Sequence, residues 1–164
     1  MTRLVRLACV LACFSPAALP QRPQFYWLGE AGGATAGGQT SFRAGLSGGA
    51  EVAIAKGFGA GAEIGFIAPH QGKFQDTVMG LASANGFYHI RHRKPVFDPF
   101  VTAGWSGLFR DGNANFFNYG AGLNYWVVPG VGLRAEFRDR VHSNGTDLHL
   151  WGFRLGVTFT RLSP

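Results

Sequence analysis

The sequence predicts an all-β fold: an eight-stranded antiparallel up-and-down transmembrane β-barrel, preceded by a cleavable signal peptide. Three observations predict it. Residues 118–140, NYGAGLNYWVVPGVGLRAEFRDR, alternate apolar side chains with polar ones or glycine on both sides of Pro129-Gly130, as two strands joined by a tight turn do. The chain has 25 glycines and 15 phenylalanines but only 15% charged residues, too few for an ordinary soluble surface. Its start has the layout of an export signal.

The first element is a predicted signal peptide at 1–20. Arg3 and Arg6 precede the apolar run 7–14, and small residues and proline follow it, which is the order of a secretory signal. The segment also fits a lipoprotein signal with a lipidated Cys13, or a short helix of the mature fold. The mature domain is predicted to be 21–164.

Export restricts the cysteine chemistry of the mature chain. Cys9 and Cys13 are its two cysteines, and both lie within the predicted signal. Cleavage therefore leaves no thiol for a disulfide or for a metal site. Beyond the signal, no stretch of the sequence approaches the roughly 18 consecutive apolar residues that a transmembrane helix needs.

The rest of the chain divides into eight predicted strands without a convincing helical period. Strands of about nine to eleven tilted residues cross a bilayer, and about eight is the smallest usual strand number for a membrane barrel. Tight turns at Lys56-Gly57 and Pro129-Gly130 alternate with looser polar connections, as expected for short periplasmic turns and longer outer loops. The predicted strands are 25–33, 41–55, 58–68, 76–91, 100–109, 116–128, 131–141 and 148–161.

The apolar parity of these strands is predicted to face lipid. In the last four strands, bulky apolar side chains share one parity, whereas polar residues and glycines share the other. An eight-stranded interior has room only for ordinary side chains, so the apolar set would overfill it. Aromatic residues near the strand ends fit two interfacial girdles. The predicted girdle residues are Trp27, Phe100, Trp105, Phe109, Phe117, Tyr125, Trp151 and Phe159.

The other parity carries charges of both signs into the barrel interior. Because an unpaired buried charge is strongly destabilising, these side chains are expected to pair with one another and to plug the lumen. A very narrow charge-lined pore is the alternative, although eight strands leave little room for water. The predicted lumenal charge network is Arg43, Glu51, Glu63, Arg134, Glu136, Arg138 and Arg154.

The segments PFVTAGWSGLF, NYGAGLNYWVVPGVGLRAEFRDR and HLWGFRLGVTF, within 99–159, resemble the small outer-membrane β-barrel proteins, the group that includes the OmpA-type transmembrane domain. The resemblance extends more loosely over the chain from Phe25 onward. It implies a location in the outer membrane of a Gram-negative-type envelope and contact with outer-membrane lipid and lipopolysaccharide. It also implies insertion by the barrel-assembly machinery, which reads a closing aromatic strand; here that strand ends in Phe159, with five residues after it.

The predicted function is structural or adhesive: a plugged, monomeric barrel that presents its outer loops, with no enzymatic activity, cofactor or metal. The net charge of +6 is scattered, and no basic block exceeds RHRK at 91–94, so no nucleic-acid partner is predicted. His89 and His92 are three residues apart and point to opposite faces of a strand, which makes them poor joint metal ligands.

Other functions remain open at this point. Some eight-stranded barrels are lipid A deacylases with a His, a Ser and an acid on the outer wall, and HSNGTD at 142–147 is similar to their motif. His142 and Ser143 are adjacent here, however, and adjacent side chains point oppositely in a strand, whereas the deacylase motif keeps them on one face. A soluble periplasmic lipocalin-like barrel that binds an apolar ligand is the other alternative.

Overall fold

The computed structural model describes residues 23–69, 78–90, 96–110, 112–142 and 148–160, and these residues form eight antiparallel strands. The predicted signal peptide at 1–20 lies outside the described residues. Within them, no helix is long and apolar enough to cross a membrane. The strands are β1 Gln24–Ala36, β2 Gln39–Ala55, β3 Phe58–Pro69, β4 Met79–His89, β5 Phe97–Phe109, β6 Asn113–Val128, β7 Val131–His142 and β8 Leu148–Thr160.

The strands pair in chain order, and β1 pairs with β8, which closes the barrel. The predicted fold class, an up-and-down eight-stranded barrel, is confirmed. We call the end that carries Lys56-Gly57 and Pro129-Gly130 the turn end, and the opposite end, which carries Gly37-Gly38, the loop end. Closure pairs the edge strands with each other, so the described sheet exposes no unpaired edge.

The first connection at the loop end is tighter than the sequence predicted. The segment ATAGGQ at 34–39 was expected to be a looser polar loop, but β1 and β2 extend into it. Only Gly37 and Gly38 remain as the turn, with φ of 56° and 79°. Both residues are in the left-handed region, where glycine carries no Cβ penalty, and two adjacent glycines therefore suffice to reverse the chain.

Several strand bounds differ from the prediction. β5 begins at Phe97 rather than at residue 100 and so includes Pro99. The carbonyl oxygen of Pro99 accepts a hydrogen bond from Ile90 N at 2.8 Å, beyond the first β4–β5 pair of His89 with Phe100. The proline nitrogen faces the same side, opposite the carbonyl of Ile90, and because Ile90 lies beyond the end of β4 and is exposed, the missing N–H does not interrupt the β4–β5 ladder.

The outer wall of the barrel is apolar and the lumen is mostly polar. Outward side chains are widely exposed, for example Trp27 at 60%, Ile64 at 72% and Leu155 at 68%. In a soluble protein so many exposed large apolar side chains would be a liability, whereas in a bilayer they contact lipid. The apolar parity is therefore the outside, as the sequence predicted.

Candidate functional site

The centre of the lumen is an ion-pair network around Arg154. Its Nη2 lies 2.6 Å from Glu63 Oε1, and its Nη1 donates to Glu136 Oε1 at 2.8 Å. Nη2 also donates to Ser47 Oγ at 2.7 Å. Arg138 lies beside it and contacts Glu136 at 2.5 Å. All these charged side chains are buried, so the paired charges stabilise one another where water does not.

Toward the loop end the network continues to Glu30, which is not among the predicted network residues. Arg140, also outside that set, makes a bidentate pair with Glu30 at 2.8 and 3.1 Å. Arg43 Nη2 approaches the same carboxylate at 2.7 Å. The alternation of side chains indicates the lumenal position of both Glu30 and Arg140. Arg140 shares the parity of Arg134, and Glu30 lies on the opposite parity to the exposed Trp27.

Toward the turn end, Arg134 is enclosed by aromatic rings. Its guanidinium carbon lies 4.1 Å from the ring centroid of Phe100 and 4.3 Å from that of Tyr26. A planar, weakly hydrated guanidinium stacks well on such faces. Arg134 also pairs with Glu51 at 3.2 Å, which ties the aromatic enclosure to the charge network.

The turn end of the lumen is closed by a histidine between two carboxylates. His89 Nε2 lies 2.9 Å from Glu51, and its Nδ1 lies 2.9 Å from Asp98. Asn124 donates a further hydrogen bond to Asp98 at 2.9 Å. His89 therefore cross-links β2, β4 and β5. The described residues contain no group of three or more His, Cys, Asp or Glu placed to hold a metal.

The structure brings together all seven residues of the predicted lumenal network. Each has a relative exposure of 5% or less and takes part in at least one ion pair. The partners lie far apart in the chain: the Arg134–Glu51 pair, for example, joins β7 to β2 and spans 83 residues. Pairs of this sequence separation hold strands that are not neighbours, and they resist a slip of register.

Seven of the eight predicted girdle residues point outward. Trp27, Tyr125 and Phe159 lie toward the turn end, and the others lie toward the loop end. The assignment of Phe100 to the girdle is wrong. Phe100 is 1% exposed and lies in the lumen against Arg134. The alternation in β5 directs even-numbered side chains inward, and Phe100 follows it. The outward-pointing members are Trp27, Trp105, Phe109, Phe117, Tyr125, Trp151 and Phe159.

A polar cluster lies on the outer wall near the loop end, among the side chains of the parity that was predicted to face lipid. Asp139 has the outward parity of β7 but is only 8% exposed. Its Oδ2 accepts a hydrogen bond from Tyr119 Oη at 3.0 Å and lies 2.9 Å from His149 Nδ1. Partners from β6 and β8 thus satisfy one oxygen of a carboxylate that would otherwise face hydrocarbon.

Replacement of Tyr119 by phenylalanine is expected to lower the free energy of unfolding by about 1 kcal/mol, because it removes a hydrogen bond to a carboxylate. Urea unfolding in lipid vesicles measures the difference. Tyr125→Phe is the matched control on the same strand, since the Tyr125 hydroxyl has no hydrogen-bond partner among the described residues. Equal losses in the two variants would contradict a stabilising role for the Asp139 contact.

His142, the residue of the deacylase-like alternative, lies at the lumenal rim. Its Nδ1 is 2.7 Å from the carbonyl oxygen of Asn115, and its ring packs at a tilt against that of Phe116, with the ring centroids 5.1 Å apart. A histidine on the lumenal parity faces away from the outer wall, where the lipid A substrate of such an enzyme lies. Ser143 and Asp147 lie outside the described residues, as do His70 and His92.

Residues 6–159 match the profile of the Outer membrane protein beta-barrel domain family. No curated protein matches the chain. Among solved structures, Neisserial surface protein A is similar with a TM-score of 0.69 and 13% identity, over 85% of this chain and 97% of that one.

Two other structural neighbours are barrels of the same kind. The N-terminal barrel domain of Pseudomonas aeruginosa OprF has a TM-score of 0.57 and 19% identity, over 83% of this chain and 97% of that one. The attachment invasion locus protein Ail of Yersinia pestis has a TM-score of 0.56 and 11% identity, over 86% of this chain and 100% of that one. At these identities the likeness concerns the fold.

Proposed function

Because the chain belongs to the outer membrane protein β-barrel domain family, we propose that it is a closed outer-membrane barrel that presents its loop end outside the cell in a structural or adhesive role. The observation that carries the proposal is the ion-pair network across the lumen. Arg134, Arg138 and Arg154 project from adjacent strands and meet the carboxylates of Glu51 and Glu63 from the other side of the barrel.

This network argues against conduction. An ion that entered the lumen would have to separate buried pairs as close as 2.6 and 2.8 Å, which leaves charges without partners in a medium of low polarity. Eight strands already leave an interior that side chains fill. A barrel of this kind serves as an anchor, and its function then lies on the surface that the membrane does not cover.

A role at the cell surface also agrees with two of the structural neighbours, which are named as a surface protein and as an attachment invasion protein. The proposal includes a monomeric barrel in contact with outer-membrane lipid and lipopolysaccharide, inserted by the assembly machinery through its closing strand. Phe153, Leu155 and Phe159 on β8 supply the outward apolar stripe that such a strand presents.

We expect the purified barrel to produce no stable single-channel steps when it is reconstituted in a planar bilayer, because the ion pairs block the lumen. The control is a conducting porin reconstituted by the same protocol. Reproducible ohmic steps in most insertions would overturn the closed-barrel part of the proposal and favour the narrow pore.

The orientation is tested by cysteine labelling of intact cells. A Cβ at Gly112 meets no atom within 4 Å, so Gly112→Cys places an open thiol at the loop end. Ala55→Cys places one at the turn end, where Ala55 is exposed. A membrane-impermeant maleimide is expected to label the first in intact cells and the second only after the outer membrane is permeabilised. The reverse pattern would contradict presentation of the loop end.

The adhesive role is tested with the same cells on host-cell monolayers. Replacement of residues 143–147 by a Gly-Ser segment of equal length is expected to abolish adhesion while the barrel still shifts its gel mobility on heating. If cells that carry the unchanged protein adhere no better than cells without it, the structural role remains and the adhesive one is rejected.

A further inference from the structure

The lumen contains an apolar cavity between the ion-pair network and the loop end of the barrel. Its volume is about 610 Å³, which lies within the range of small-molecule sites. Its walls come from seven strands, and small side chains such as Ala34 and Ala114 leave the space open. The apolar wall includes Ile67, Leu108, Phe116, Leu148 and Leu150.

These wall residues interrupt the polar character of the lumen. Leu81 and Leu108 belong to a buried apolar cluster with Ile67, Phe116 and Leu150, and all five have the inward parity of their strands. The aromatic rings at the turn end cover the guanidinium of Arg134, whereas this apolar cluster at the loop end has no partner in the ion-pair network. It creates a surface that favours hydrocarbon over water.

The cavity also borders a positive charge. Arg43 lines it and is 1% exposed, and its Nη1 has no hydrogen-bond partner among the described residues. Arg43 shares the carboxylate of Glu30 with Arg140. Five buried arginines share four buried glutamates in the described lumen, and Asp98 pairs with His89 at the opposite, turn end, so Arg43 has no carboxylate of its own. A bound anion would supply the missing negative charge.

We propose that this cavity binds a monoanionic amphiphile, an alkyl carboxylate of the fatty-acid class, with its tail along the Leu108–Phe116–Leu150 wall and its carboxylate directed toward Arg43. Apolar lining with a small number of placed polar groups is the usual composition of such sites, and the polar group fixes the orientation of the ligand. The inference goes beyond the proposed surface role and does not depend on it.

Photoaffinity labelling tests the proposal on the folded barrel in detergent. The probe is a medium-chain alkyl carboxylate with a terminal diazirine, and the corresponding alcohol is the neutral comparison. Mass spectrometry is expected to find carboxylate adducts on Leu108, Phe116 and Leu150 at least about fivefold above those of the alcohol, the effect of one charge-assisted contact. Adducts on outer-wall residues arise from probe that is dissolved in the detergent around the barrel, and their amounts are expected to be equal for the two probes.

Two variants separate specific binding from partition. Ala114→Phe fills the cavity and is expected to abolish the lumenal adducts, whereas Ala121→Phe, outward on the same strand, is expected to leave them unchanged. Arg43→Met keeps Glu30 paired with Arg140 and is expected to reduce carboxylate labelling to the level of the alcohol. Adducts confined to the outer wall, equal lumenal labelling by the two probes, or labelling unchanged in Arg43→Met would each overturn the proposal.

Discussion

Replacement of Arg154 by methionine is expected to destabilise the barrel by about 3–5 kcal/mol, because it leaves buried carboxylates without their main partner. The guanidinium lies 2.6 Å from Glu63, 2.8 Å from Glu136 and 3.4 Å from Glu30, and it is fully buried. No other side chain of the described network contacts three glutamates. Urea unfolding in lipid vesicles, followed by the heat-shifted gel band, measures the loss.

Two further variants determine whether the loss comes from charge. The double variant Arg154→Met with Glu63→Gln removes the guanidinium and also neutralises Glu63, one of the carboxylates that would otherwise be buried without this partner. The double loss is therefore expected to be smaller than the sum of the single losses by about 1–3 kcal/mol. Leu155→Met, at the neighbouring lipid-facing position, is the control for strand perturbation and is expected to cost less than about 1.5 kcal/mol. Additive losses would show that the charges act independently, which would contradict a coupled plug.

The alternation of side chains made the barrel predictable from sequence. A period of two assigns every residue of a strand to one face once a single residue is assigned, and the limited room inside eight strands determined which face meets lipid. Seven lumenal residues followed from this rule without knowledge of any contact. The same rule applied to β1 would have assigned Glu30 to the lumen, but this strand was the weakest in the sequence, because glycine and alanine dominate its second half.

Phe100 was assigned to the wrong face because its residue type and the expected strand start were given more weight than the alternation of β5. Its residue type suggested an interfacial aromatic at a strand start, but β5 begins three residues earlier, and the side chain lies in the second inward position of the strand. The deciding factor is a tertiary one, since Phe100 covers Arg134 from β7. Residue type alone does not separate a ring that stacks on a buried guanidinium from one that meets lipid, whereas the parity of the strand does.

Asp139 and the apolar cluster at the loop end were unpredictable for a different reason. Each departs from the binary pattern, and each departure depends on partners from other strands. The carboxylate of Asp139 is tolerated on the outer wall because Tyr119 and His149 reach it from the two neighbouring strands. Leu108 and Phe116 are tolerated in the lumen because they meet there, across the β5–β6 turn and with residues from three further strands. Departures from a local pattern of this kind concentrate at functional positions.

Gly156→Ala is expected to destabilise the barrel by about 3 kcal/mol, although it adds a single methyl group, because the space beside this glycine is occupied by backbone. Gly156 faces Leu28 across the β1–β8 seam that closes the ring. A Cβ there would overlap the carbonyl oxygen of Trp27 and would lie 2.9 Å from the Cα of Leu28. Neither atom belongs to a flexible side chain, so the two strands would have to separate where the barrel closes.

Gly29→Ala is the matched control for this substitution, since it lies on the same seam and its Cβ would meet nothing nearer than Leu155 O at 3.8 Å. That distance is an ordinary van der Waals contact. Alanine also lowers the conformational entropy of the unfolded chain, so the control is expected to leave the free energy of unfolding unchanged or to raise it slightly. Refolding into lipid vesicles, with the heat-shifted band as readout, compares the two yields. If both alanine variants fold and unfold alike, the close approach of β1 and β8 at Gly156 does not limit closure, and the seam tolerates ordinary side chains along its length.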